Sequence, residues 1–437
     1  MLVAMLRWLL AVVLLLLAWY GRDPHLLPVR PVLLLLLGVP ALLALHWLWR
    51  RPAARTRQVW VAVLLLAFGL GLSEDLRFRG HRAAVLAAGR VAPLSAGQLT
   101  PVQRLGQHFV LGYRDPAELA PLVAQGLIGG VFITRRNIED LDAAQIREQI
   151  AGLQRLRLTA GLPPLIVSTD QEGGIVSRLS PPLPQQPPLA SLVAAQADGP
   201  ALESAARAYG REQGAALAAL GVDLNFSPVL DLKLAHPDNP LDLHSLIARR
   251  ALSADPAVVG RVAQAYAEGL QQEGVRATLK HFPGLGRVSS DTHHFSAALQ
   301  APLAQLREQD WRPFRQLMAQ TPAWVMLAHV TLTELDRDYP VSLSRTVVQR
   351  VLRQEFAFDG VLITDDLTMA AAYRFGVCQA AVRALDAGVD LLLVAYDPEQ
   401  YYEALHCALQ AQTEGRLDPG LLEQSDRRLA RSRGGRG

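Results

Sequence analysis

The chain has 437 residues, half of them hydrophobic, a formal net charge of +3 and only two cysteines. That length suits one large domain or two ordinary ones. No Lys/Arg run is interleaved with aromatics, so nucleic-acid binding gains no support, and the basic stretch RRLARSRGGRG at the end reads as a solvated tail. Cys378 and Cys407 exclude a disulfide framework and a cysteine metal site; both fall in helical patterns, which favours two buried thiols over a single bridge.

The hydrophobic excess lies before about residue 73, in three leucine-rich runs. The first covers Leu9 to Tyr20 and extends back to Leu2, the second Val32 to Trp49, and the shorter third Val59 to Leu72. A cleavable signal peptide accounts for one such run, not three. The expectation is a membrane anchor over residues 1–75 with about three transmembrane helices in the lipid bilayer. Arg50, Arg51, Arg55 and Arg57 between the second and third runs mark the cytoplasmic side. The third run then leads outward and delivers the following body to the extracytoplasmic face of a bacterial inner membrane, unless its short span fails to cross.

From about residue 97, short apolar runs alternate with longer helical patterns. Eight runs read as strands: 108–113, 129–134, 164–170, 222–228, 277–283, 324–330, 360–366 and 390–396. They are continuously apolar, as parallel strands buried on both faces must be. Eight such units over residues 80–437 predict an α/β fold of the TIM type, a (β/α)8 barrel; a doubly wound sheet is disfavoured by the lack of a GxGxxG turn. The end reads as a helix with Asp418 as N-cap and Pro419 at its first position.

Barrel chemistry collects at the C-terminal ends of the strands. Polar residues recur there: Asp170 on strand three, Asn225 and Asp231 on four, Lys280 and His281 on five, His329 on six, Asp365 and Asp366 on seven. One such Asp is as readily a helix cap. Several together indicate a pocket for a carbohydrate or a phosphate. Carboxylates as nucleophiles and histidine as acid/base point to hydrolysis of a polar substrate. His281, Asp291, His293 and His294 also invite a metal, but the segment lacks an HExxH helix and is rich in Gly and Ser, so no metal and no cofactor is expected.

Three motifs in order, STDQEGGIVSRL (168–179), KHFPGLGRVSSDTHH (280–294) and ITDDLTMAAA (363–372), resemble glycoside hydrolase family 3, in its single-domain bacterial β-N-acetylglucosaminidase branch. NFSPVLDL (225–232) and VMLAHV (325–330) agree with them. The resemblance implies a retaining mechanism with Asp365 as nucleophile and His293, paired with Asp291, as acid/base. It implies sugar contacts from Asp170, Arg178, Lys280 and His281, from Arg250 in preference to Arg249, and an acetamido pocket lined by Met369. The chain departs from the family at Leu285, where a histidine is common, at Arg249, and in its greasy N-terminal segment.

The resulting expectation is an exo-β-N-acetylhexosaminidase that removes terminal β-linked GlcNAc from peptidoglycan fragments or related glycans. A β-glucosidase-like specificity, a non-catalytic glycan-binding protein and transfer to an acceptor other than water are the competing readings.

Overall fold

The computed structural model describes residues 2–50, 55–90, 98–195, 199–234, 245–288 and 290–434, and the chain divides into two compact units, 1–86 and 87–437. The first unit consists of α1 (Leu2–Trp19), α2 (Arg30–Arg50) and α3 (Arg55–Gly89). Small residues let α2 and α3 approach: a side-chain carbon at Gly38 would lie 2.9 Å from Phe68, and one at Gly71 would lie 2.9 Å from Leu37. Ala18, Leu33, Leu37 and Ala67 form the small buried cluster of this unit, while Leu9, Leu35, Leu42 and Leu66 remain exposed.

The third apolar run proves to be part of the longest helix of the chain. α3 has 35 residues, which at the rise of an α-helix makes it about 50 Å long. It passes through Glu74 and Asp75 without a break, because Arg77 pairs with Glu74 at 2.7 Å and Arg79 with Asp75 at 2.6 Å, one helical turn away. Hydropathy marked the edge of the apolar stretch, not the end of the helix. By length and composition, Gln58–Gly89 could cross a membrane; the apolar parts of α1 and α2 are shorter. Arg51, one of the four marker arginines, and the last three residues of the basic tail lie outside the described residues.

The second unit is built on eight strands: β1 (Phe109–Leu111), β2 (Gly130–Ile133), β3 (Ile166–Thr169), β4 (Leu224–Asn225), β5 (Arg276–Phe282), β6 (Trp324–Leu327), β7 (Leu362–Asp366) and β8 (Leu391–Val394). All pair in parallel, each with its sequence neighbours, and β8 closes on β1 through Phe109 opposite Leu392. Every predicted run supplies its strand. The sixth is shorter than expected and ends at Leu327, so His329 lies beyond it; Val330–Leu332 pairs instead with Ala297–Leu299 outside the barrel.

Helices fill the crossovers in turn: α4 (Pro116–Ala124), α5 (Ala143–Thr159), α6 (Pro200–Leu220), α7 (Pro256–Gln272), α8 (Trp311–Gln320), the π-helical α9 (Thr346–Glu355) and α10 (Val377–Ala387). α11 (Gln400–Thr413) and α12 (Pro419–Gly434) follow β8, and Asp418 accepts the Gly420 and Leu421 N–H groups, as its cap position predicts. Inward side chains including Val110, Phe132, Ile166, Phe226, Met326 and Ile363 fill the barrel, with the Phe132 and Phe226 rings stacked 5.1 Å apart.

The cysteines are not two thiols. Cys378 on α10 and Cys407 on α11 form a disulfide, with their Cα atoms 5.4 Å apart. Spacing alone could not indicate this, because the two helices are brought side by side only when β8 joins the sheet between them. The bond spans 29 residues of sequence. Replacing both cysteines by serine should therefore lower stability by about 3–4 kcal/mol on the loop-entropy model, read as a reduced guanidinium midpoint; an unchanged midpoint would remove the disulfide from the fold's energetics.

Candidate active site

β5 and β7 are each irregular at the end of the barrel where the strand-end polar residues gather. Against β6, Leu279 pairs with Val325 but Phe282 pairs with Leu327, so β5 holds one extra residue around Lys280 and His281. Against β8, Ile363 pairs with Leu391 but Asp366 with Leu393, so β7 holds one extra residue around Thr364 and Asp365. Such a bulge re-aims side chains without breaking the sheet. The Lys280–His281 peptide is cis.

Lys280 is 2% exposed, and its Nζ lies 2.6 Å from Asp170 and 2.5 Å from Glu172. Glu172 also takes a two-pronged bond from Arg250, Nε at 3.0 Å and Nη2 at 2.5 Å. Two cations thus offset two carboxylates in a nearly dry place, where an unpaired charge would be costly. Burial pushes Glu172 up, but Arg250 and Lys280 more than reverse this and hold its carboxyl far below the usual range. At Asp170 burial prevails over Lys280, and the net direction is upward. Sequence reasoning missed Glu172. It sits inside the quoted QEGG stretch, and its signal is a carboxylate in a glycine-rich turn directly after a strand that ends in another carboxylate.

His281 leans on Asp231, with Nδ1 2.7 Å from Oδ2 and its backbone N–H donating to Oδ1 at 3.3 Å. Its Nε2 lies 3.4 Å from the Arg250 guanidinium. Asp231 is fully buried, and its Oδ1 accepts a further bond from the Leu285 N–H at 2.7 Å. Arg249 faces solvent beside the inward Arg250, and the Arg178 side chain is exposed while its N–H donates to the Asp170 carbonyl.

The two aspartates of β7 have opposite environments. Asp366 is buried and accepts from the Thr368 N–H and hydroxyl and from the Ala395 and Tyr396 N–H groups. Burial nonetheless raises its pKa. Asp365 is half-buried and, among the described residues, its carboxylate accepts the Asp366 N–H alone, at 2.8 Å. Burial pushes its carboxyl up, but the fields of His281, His329 and His293 outweigh that and set it below the ordinary value. His329 is buried between the Asp366 carbonyl, 2.9 Å from Nε2, and the Ser342 hydroxyl, 2.6 Å from Nδ1. A carbonyl can only accept, so Nε2 carries a proton and donates it to the Asp366 carbonyl. Burial lowers the His329 pKa, against the raising fields of Asp365 and Asp366.

Asp291 is fully buried and His293 is 40% exposed, with Nδ1 2.9 Å from Asp291 Oδ1. The Asp291 carboxylate also accepts the His293 N–H at 3.0 Å. The His293 carbonyl in turn accepts the Ala370 N–H at 3.1 Å, which ties this loop to the segment after β7. Met369, the neighbour of Ala370, is buried there. The four metal-candidate residues disperse: His281 goes to Asp231, His293 to Asp291, and the His294 ring lies edge-on to Phe295. Among the described residues no His/Cys/Asp/Glu group is arranged to hold a metal.

A barrel mouth that pairs off its fixed charges, keeps one carboxylate open and offers a solvent-reaching imidazole suits a neutral polyol cleaved by nucleophile and acid/base; it is the mouth of a glycoside-cleaving enzyme. The family model for the glycosyl hydrolase family 3 N-terminal domain matches residues 95–432. The chain is 36% identical over 281 residues to a β-hexosaminidase of Nitrosomonas eutropha, covering 64% of this chain and 77% of that protein. It is 35% identical over 345 residues to β-hexosaminidase LpqI of Mycobacterium tuberculosis, covering 77% and 83%. Among solved structures, a family 3 β-N-acetylglucosaminidase from Paenibacillus matches with a TM-score of 0.71 and 33% identity over 78% of this chain, which spans 63% of that longer chain. A family 3 glycosyl hydrolase from Mycobacterium smegmatis matches with a TM-score of 0.68 and 32% identity, covering 77% and 98%. The chain belongs to glycosyl hydrolase family 3, and lies among its β-hexosaminidases.

Glu172→Gln should leave Arg250 and Lys280 short of a counter-charge. The expected cost is about 3–5 kcal/mol, the penalty for breaking a buried pair, measured by denaturant unfolding. A loss within error of zero would show that solvent reaches this cluster.

Proposed function

We propose that the protein is a retaining exo-β-N-acetylhexosaminidase acting on glycans with a terminal β-linked GlcNAc, peptidoglycan fragments among them. The observation that carries this reading is the contrast on β7: Asp366 is saturated by four donors, while Asp365 beside it stays open among three imidazoles. In the first half-reaction the Asp365 carboxylate attacks the anomeric carbon. The bond to the leaving oxygen breaks as His293 Nε2 gives that oxygen its proton. Asp291 receives the Nδ1–H bond and stabilises the imidazolium before transfer. In the second half, neutral His293 takes a proton from water, which displaces Asp365 and restores the β configuration. Asp170, Arg178, Arg250, Lys280 and His281 bind the sugar hydroxyls in this scheme, and Met369 lines the acetamido pocket.

The test compares 4-nitrophenyl β-GlcNAc with 4-nitrophenyl β-glucoside, using the full chain in detergent and Asp365→Ala as control. The expected outcome is release from the GlcNAc compound alone, with a loss of at least about a thousandfold in the variant, since the nucleophile is removed. Equal rates for both proteins would sink the hydrolase assignment, and preference for the glucoside would move the specificity.

The same proposal places the catalytic unit on the extracytoplasmic side of a bacterial inner membrane, with α3 as the last span. Support comes from the arginines at the start of α3 and from the Cys378–Cys407 disulfide, since such bonds persist in oxidising compartments and are rare in the cytosol. The exposed leucines of α1 to α3 supply the lipid-facing surface. A C-terminal alkaline phosphatase fusion should be active and a green fluorescent fusion dark, with both thiols resisting maleimide until reduced. A bright fluorescent fusion with freely labelled thiols would place the barrel in the cytoplasm.

A further inference from the structure

The dyad does not sit on the barrel itself but on the loop that leaves β5, and how that loop is held decides where His293 can reach. Its first part is pinned from below. The Leu285 N–H is bound by Asp231, and Gly286 lies so close to the Leu232 backbone that a side-chain carbon would meet its carbonyl oxygen at 2.3 Å. Arg287 then turns sideways. Its Nε donates to Asp310 Oδ2 at 2.8 Å and its Nη2 to Gln309 Oε1 at 2.5 Å.

Asp310 is an unusual place for a charge. It is 1% exposed, just before α8, and Trp311 beside it packs on Phe282 with ring centroids 5.7 Å apart. Its Oδ1 has no hydrogen-bond partner among the described residues, so the Arg287 guanidinium is its principal compensation. A buried carboxylate held this way is costly unless its cation is in place. Only residues 288–290 separate Arg287 from Asp291, so their Cα atoms, four steps apart, lie no more than about 14 Å from each other even if the chain were fully extended.

We propose that the Arg287–Asp310 ion pair is a latch that positions the Asp291/His293 dyad against the glycosidic oxygen. Arg287 acts through the loop and touches neither sugar nor nucleophile. The inference rests on His293 being the acid/base.

The experiment uses the leaving group as the reporter. A GlcNAc disaccharide needs a proton on its leaving oxygen; a 2,4-dinitrophenyl β-GlcNAc does not. Arg287→Ala in the full chain should lower kcat/KM for the disaccharide about tenfold or more, a part of the roughly hundred- to ten-thousandfold a general acid contributes, and leave kcat/KM for the dinitrophenyl compound within about twofold. Azide should raise kcat of the variant on the dinitrophenyl compound, because it replaces water without needing the base. Arg287→Lys should recover part of the loss. The double variant Arg287→Ala/Asp310→Asn leaves no lone buried carboxylate, so it separates positioning from folding; it should show the same discrimination with an intact melting transition. Equal losses on both substrates, or none on either, would overturn the latch. His293→Ala serves as the reference: if it discriminates and the Arg287 variants do not, the latch alone fails, and if neither discriminates, the acid/base reading fails with it.

Discussion

A closed barrel of eight parallel strands has no free edge along which a misfit can be relaxed, so an extra residue in one strand must be absorbed where it occurs. β5 and β7 each carry one, at the end of the barrel where parallel strands deliver their loops. The bulge in β5 falls on Lys280 and His281, and the bulge in β7 on Thr364 and Asp365. Lys280 then reaches back to Asp170 and Glu172 from β3 and its following turn, and His281 to Asp231 after β4. The site thus draws on neighbouring strands without any of them leaving the sheet, and the apolar interior beneath it stays packed.

Electrostatics then sorts residues of the same type into different tasks. Asp366, Asp231 and Asp291 are all buried, and each is spent on fixing something: the loops after β7 and β8, the His281 ring with the Leu285 N–H, and the His293 ring. Glu172 balances two cations. Among the described residues Asp365 is left with one N–H donor, and the fields of the nearby histidines hold its carboxyl below the ordinary value, which suits the nucleophile role proposed for it. His329 belongs to the structural group despite its type. Its proton is committed to the Asp366 carbonyl, so it steadies the β7 aspartates rather than shuttling protons.

The fold was legible because buried parallel strands leave a strong mark: each of the eight apolar runs became a barrel strand. The strand ends were marked in the sequence by their polar residues, although several of these, Asp366, Asp231 and His329 among them, prove to hold loops and rings in place. Other features left no such trace. Glu172 lies in a short hairpin strand, Gln171–Gly173, beside a glycine turn where a polar residue is unremarkable in sequence, and only the arrival of Arg250 and Lys280 gives it meaning. The pairing of Cys378 with Cys407 depends on α10 and α11 becoming neighbours around β8. The length of α3 was hidden because its ion pairs extend the helix beyond the greasy stretch. Arg287 and Asp310 stand 23 residues apart and look like ordinary surface charges until α8 brings Asp310 under the loop.

Leu285 shows how the loop tolerates its departure from the family pattern. A histidine absent from a loop beside the Asp291/His293 pair would matter if its ring carried a bond that the loop needs. Here the contact that fixes position 285 is made by the backbone: the N–H donates to Asp231, and the leucine side chain is buried. Any residue other than proline supplies that N–H. The position therefore constrains volume and polarity, not hydrogen-bonding identity, and leucine satisfies the burial without leaving a polar atom unmet. Asp231 is what cannot be exchanged. The same carboxylate aligns His281 and secures the start of the loop that carries His293, so one buried group places both the proposed sugar-facing wall and the proposed acid/base.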